Sequence, residues 1–175
     1  MNDKKGVLRS TTVMFLFVGL FGIWMGGCQT QEQKEIKRLI KQLGHKNSDV
    51  RMTAAGALGS IGTKDAVPAL IQALQDQDKW VRVSVSGALG KIGTPEAIKT
   101  AVSVLVQLLQ NQDVSVRANA VYTLGSIEEG AIDAVPDLIQ ALQDPHEEVR
   151  GNVVQALEKI GTLEALEAVE EYQSR

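Results

Sequence analysis

A chain of 175 residues with 44% hydrophobic content is long enough for one folded domain. Its 18 basic and 21 acidic residues leave a net charge of −3, which excludes the global positive field that gathers nucleic acid. A single cysteine excludes an internal disulfide, and with 4% aromatics the core must be built from Ala, Val, Leu and Ile, the mix of closely packed helices.

Lys4, Lys5 and Arg9 form a basic start, and Val13 to Met25 is almost wholly apolar. This is the order of a secretory leader. As a helix the apolar run would cover about 20 Å of a hydrocarbon layer roughly 30 Å thick, short for a membrane anchor. Met25-Gly26-Gly27-Cys28 follows it and resembles the lipobox of bacterial lipoproteins, with Met25 where that family usually has Leu. The resemblance implies cleavage before Cys28 and a lipid joined to its sulfur through a thioether. It divides the chain into a signal peptide over 1–27, a lipidated N-terminus and short tether over 28–33, and a folded part over 34–175. Gln29, a residue other than Asp after the cysteine, implies in that family an outer-membrane protein facing the periplasm. The alternative is an uncleaved signal anchor in which Cys28 is a bystander.

From residue 36 the chain repeats itself. "LGHKNSDVRMTAAGALGSIG" from Leu43, "LQDQDKWVRVSVSGALGKIG" from Leu74, "LQNQDVSVRANAVYTLGSIE" from Leu109 and "LQDPHEEVRGNVVQALEKIG" from Leu142 keep one internal spacing. Each places Val-Arg seven and eight residues after its leucine and a second leucine at fifteen. The intervals from those second leucines to Leu70, Leu105 and Leu138 are 12, 16 and 14, so length varies only between repeats. A rigid helical hairpin is the unit.

In the first half of a unit Val67, Leu70, Ile71 and Leu74 share one helical face, as do Val135, Leu138, Ile139 and Leu142. Asp65 and Asp133 are the expected N-caps, with Pro68 and Pro136 in the first turn. In the second half Asn47, Asp78 and Asp113 are the expected caps, and Gly62, Gly93 and Gly161 the stops. Val50, Ala54, Ala57, Leu58 and Ile61, with their counterparts, form its buried face. An isolated pair cannot offset the entropy of ordering it, so the pairs must stack.

The "VR…A..ALG.IG" core resembles HEAT repeats, most closely the bacterial HEAT-like repeats associated with phycobilisome lyases, over residues 36–175. The resemblance implies an all-α, right-handed α-solenoid of four helix pairs, closed by a capping helix from about Leu163 to Tyr172. It also implies a stacking role for the row Arg51, Arg82, Arg117 and Arg150, because such families place Asp and Arg to bridge adjacent repeats. Asp76 and Asp144 stand at the matching positions, whereas His45 and Asn111 depart from the pattern. Left unpaired, the arginines would instead form an anion-binding ladder.

His146-Glu147 resembles one of the His-Glu pairs on which deoxyhypusine hydroxylases build a di-iron site. Only one such pair is present, the chain has two histidines, and neither has other ligands near it in sequence. No glycine-rich phosphate loop and no Ser/His/Asp set occurs. The expectation is no metal, no cofactor and no catalysis, with a lyase-type or cofactor-handling protein as the alternative.

Opposite the buried stripe, the second helices carry small and apolar residues where a solvated face would be charged: Met52, Ala55 and Gly56, then Val83, Ser86 and Gly87, then Val121 and Tyr122, and Val154. In solenoids of this type these helices line the concave surface. The expectation is a groove for a segment of another protein; the competing reading is that small residues let helices nest. Trp80 breaks a polar position at a helix start and is either an interface anchor or a side chain folded over the adjacent turn. Residues 29–51 carry net +3 and residues 144–175 net −5, so the lipidated end is the basic one and is expected to lie near an anionic membrane.

Overall fold

The structure, a computed structural model, describes residues 31–175, so the expected signal peptide, Cys28 and Gln29 lie outside the described residues. Of the described residues, 31–38 and 39–175 belong to separate units. Residues 31–42 are helical (α1), so 31–33 are helix rather than tether. Within the second unit follow α2 (Ser48–Ile61), α3 (Val67–Ala73), α4 (Lys79–Ile92), α5 (Pro95–Leu108), α6 (Val114–Ile127), α7 (Val135–Ala141), α8 (Glu147–Ile160) and α9 (Leu163–Gln173). Among the described residues every regular element is helical.

The second-half helices begin and end as their sequence dictates. Asn47, Asp78 and Asp113 each accept the backbone N–H two residues on, satisfying one orphan donor of the first turn. Gly62, Gly93 and Gly161 close α2, α4 and α8 at φ of 72°, 75° and 71°, where a side chain would be strained. His146, the residue before α8, makes no side-chain capping bond.

The first-half helices differ from expectation at their starts. Asp65 does not cap α3: Thr63 accepts the Asp65 N–H and opens a 3-10 turn, Lys64–Ala66, that leads into the helix. Asp133 likewise lies inside a 3-10 stretch, Glu128–Ala134, ahead of α7. Pro68 and Pro136 do sit in the first helical turn, where the missing N–H costs nothing. α5 is one continuous helix, capped by Thr94 with Pro95 beside it.

The core follows the repeat. Leu58, Leu89, Leu124 and Leu157 are fully buried, as are Leu70, Leu105 and Leu138. Each contributes roughly 2 kcal/mol of apolar burial. Val81, Val116 and Val149 are buried too, but Val50 is only half-buried and Ile61 is 38% exposed. Among the described residues no earlier second-half helix lies beside the first repeat to cover them. α2 lies along α4, α4 along α6 and α6 along α8, each pair closing over the leucines.

Candidate protein-binding face

The face expected to line a groove is α2, α4, α6 and α8, and lateral packing removes much of it from solvent. Ala55, Ser86 and Val121 are fully buried and Val83 is 8% exposed. These four are therefore packing residues, a correction to the expectation. In a stack each inner helix has a neighbour on both flanks, so the solvent-facing arc is narrower than the half-wheel opposite Val50. Glycines mark how closely the helices pass: a Cβ on Gly59 would lie 2.7 Å from the Ala88 Cα, and one on Gly125 2.9 Å from the Ala156 Cα. Small residues do let these helices nest.

What remains accessible is a strip of Met52, Gly56, Gly87, Tyr122 and Val154. Tyr122 is 61% exposed, the largest aromatic surface on the strip. The Lys159 ammonium sits 5.7 Å from its ring centroid, within cation–π distance. Tyr122 lines an open cleft of about 260 Å³ with Asn119, Glu148 and Asn152, and a much smaller one with Asn152, Gln155 and Lys159. Asn119 and Asn152 occupy the same repeat position, ten residues after Leu109 and Leu142, where the earlier repeats have Thr53 and Ser84. That recurrent polar site was legible as a signal; the flanking Gln155 and Lys159 carried none. Trp80 is half-buried and packs against the apolar cluster.

The arginine row is resolved residue by residue. Arg51 holds Asp76 bidentately at 2.6 and 2.8 Å, and Arg117 holds Asp144 at 2.7 and 3.0 Å, with all four side chains 8–11% exposed. Nη1 of each arginine also donates to carbonyls of its own turn: Arg51 to His45, Arg82 to Asp76, Arg117 to Asn111 and Arg150 to Asp144. Every arginine thus closes its own hairpin turn, and two also reach the next repeat. Arg150 instead takes the Tyr172 hydroxyl, at 3.1 Å, which ties α8 to the final helix. Arg82 meets Asn111 in place of Asp, and that junction carries a Lys79–Asp113 pair at 2.6 Å, about a third exposed.

These contacts set the carboxylate chemistry. Burial alone would raise Asp76, but Arg51 and the Asp78 N–H outweigh it and hold the carboxyl below its usual range. Asp144 is lowered chiefly by Arg117, against a smaller opposing effect of burial. Lys79 does the same for Asp113. Among the described residues no three His, Cys, Asp or Glu side chains come together to hold a metal, and His45 accepts the Asn47 N–H through Nδ1. No described helix is long and apolar enough to cross a membrane.

The family profile for HEAT repeats matches residues 36–105 and again 102–174. The chain belongs to the HEAT-repeat family. Among solved structures, two engineered proteins of the Northeast Structural Genomics Consortium align with 79% of this HEAT-repeat chain, at 27% and 28% identity and TM-scores of 0.52 and 0.51. The alignments cover 68% and 41% of those proteins. The complex of CpcE and CpcF of phycocyanin lyase from Nostoc sp. PCC7120 aligns over 79% of the chain and 63% of that chain, at 24% identity and a TM-score of 0.57. That degree of identity shows a common fold. The chain thus spans less than two thirds of the length of two of these three structures. No curated protein matches it at a significant level.

Proposed function

We propose that this HEAT-repeat solenoid is a non-catalytic protein-binding module or assembly scaffold, and that Cys28 carries a lipid anchoring it in the bacterial cell envelope, at the outer membrane and facing the periplasm. The observation that carries the binding role is the accessible strip on the second helices, where an exposed Tyr122 lines two clefts edged by amides. Aromatic side chains that expose a rigid ring beside hydrogen-bonding groups are the residues around which interfaces concentrate their energy. HEAT repeats offer such surfaces to other proteins, and one structural neighbour is itself a complex of two chains. The lipid role rests on the sequence Met25-Gly26-Gly27-Cys28 after a short apolar run. Two or more acyl chains hold a protein stably on a membrane, and the basic residues Lys34, Lys37, Lys41 and Lys46 add attraction to anionic headgroups.

Photocrosslinking in the native host tests the binding role, with probes at Met52, Tyr122 and Val154 and a control at the exposed Gln72 on α3. One protein captured from the strip but not from Gln72 is the expected result. Equal capture, or none, from both faces would contradict it. Cys28→Ser tests the anchor: the variant should lose its acyl mass and leave the membrane fraction, and retention of both would show that Cys28 is a bystander.

A further inference from the structure

The repeat supplies its own reference for what an arginine at this position binds. At the junction of the first two repeats and at that of the last two, Nε and Nη2 grip one carboxylate, that of Asp76 or Asp144. At the middle junction the equivalent position is Asn111, whose Oδ1 accepts the Asp113 N–H at 3.0 Å. An amide has one acceptor atom where a carboxylate has two, and its other atom is a donor that cannot serve a guanidinium. Arg82 accordingly spends Nη1 on the Asp76 and Gln77 carbonyls, as its sister residues do, while Nε and Nη2 have no acceptor among the described residues.

Arg82 lines an open cleft of about 360 Å³ whose walls include Gln75, Gln107, Gln110 and Asn111. The amides are neutral hydrogen-bonding groups. The carboxylate lining the cleft, Asp76, is already held by Arg51, and the nearby Asp113 is paired with Lys79. Arg82 is thus left without a bidentate carboxylate partner at this junction, although the Asp76 charge, shared with Arg51, lies near it.

We propose that the cleft between the second and third repeats is a carboxylate-binding site, in which Arg82 takes from outside the chain the group that Asp76 and Asp144 provide within it. The ligand is a carboxylate of a partner polypeptide, either an Asp or Glu side chain or a chain terminus. It would bind through the fork of Nε and Nη2, whose two parallel N–H bonds match the two oxygens of a carboxylate, whereas a halide offers a single acceptor atom to both. Asn111 adds a donor beside it. The site lies at the hairpin turns, apart from the Tyr122 strip, and stands or falls independently of the binding role proposed for that strip.

The test follows the arginine Nε–H resonances of the full chain by NMR during titration with acetate, and with chloride at matched ionic strength. The Arg82 resonance should move saturably with acetate and not with chloride, while those of Arg51 and Arg117 stay in place. Asn111→Asp, which keeps the turn and fills the vacancy from within, should weaken the acetate response at least about tenfold, as expected when a hydrogen-bonded charged contact is denied. Two short peptides, one with a free terminus and no acidic side chain and one amidated with a single Asp, then distinguish the source. Binding of either supports the site. An Arg82 resonance indifferent to acetate and both peptides, or an equal response in Asn111→Asp, would overturn it.

Discussion

Gly56 and Gly59 lie one turn apart on α2 and serve opposite ends. A Cβ on Gly59 would collide with the backbone of α4 at Ala88, whereas one on Gly56 would meet nothing within 4 Å. Helix propensity therefore decides at Gly56 and close approach decides at Gly59. Gly56→Ala should stabilise the protein by about 1 kcal/mol. Gly59→Ala should destabilise it by about 1–3 kcal/mol, since the overpacked neighbour is main chain. Thermal melts of the two variants check this, and shifts of the same sign would refute the packing. The buried aspartates make a second residue-scale prediction. Because Asp76 and Asp144 titrate below their unfolded value of about 3.9, their contribution is complete above that value and is lost as pH falls through the depressed folded one. Asp144→Asn, which reproduces the arrangement at Asn111, should cost about 2 kcal/mol at neutral pH and flatten the loss of stability on acidification below about pH 4. An unchanged acid limb would show that Arg117 does not hold a carboxylate there.

At the scale of elements, the junctions are not alike. α2 meets α4, and α6 meets α8, with main chain against glycine, whereas at Gly90 on α4 it is the Ile127 side chain of α6 that approaches, to 2.7 Å from an added Cβ. The outer junctions carry buried Arg–Asp pairs and the middle one an exposed Lys79–Asp113 pair. Salt screens exposed pairs and leaves buried ones largely intact. Lys79→Ala should therefore lower Tm slightly at low ionic strength and not at all near 1 M salt, while the effect of Asp144→Asn persists; equal salt dependence of the two would contradict the distinction. Most of this layer was legible in sequence. Asn47, Asp78, Asp113 and the three left-handed glycines announce their helix ends because their roles depend on two or three neighbouring residues. Thr63 was not, because Thr63 and Asp65 are both competent caps and the choice between them depends on how the preceding turn meets the stack.

For the molecule as a whole, repetition is what made the architecture readable: a pattern that recurs four times at fixed spacing reports the buried leucines, while the two Arg–Asp bridges were implied by the resemblance to HEAT repeats. The candidate face was legible only in part. Helical periodicity says which side of a helix is away from the core, but not how far its lateral neighbours close over it, and that is why Ala55, Ser86 and Val121 proved to be packing while Met52, Tyr122 and Val154 kept their access. Tyr122 is also the point at which the repeat is broken, standing where two earlier repeats have Gly56 and Gly87 and the last has Gln155. A residue that departs from a packing pattern and remains exposed is available for work that packing does not require.

The most direct test of that work is the yield of the partner crosslinked from Met52, compared between the wild-type chain and Gly87→Lys. Gly87 is half-buried on the strip and an added Cβ would meet only the Thr123 methyl at 3.6 Å, an ordinary contact, so the variant should keep its helical circular dichroism. Loss of the crosslink from a folded Gly87→Lys chain is the predicted result. An undiminished crosslink would show that the partner does not lie along the second helices.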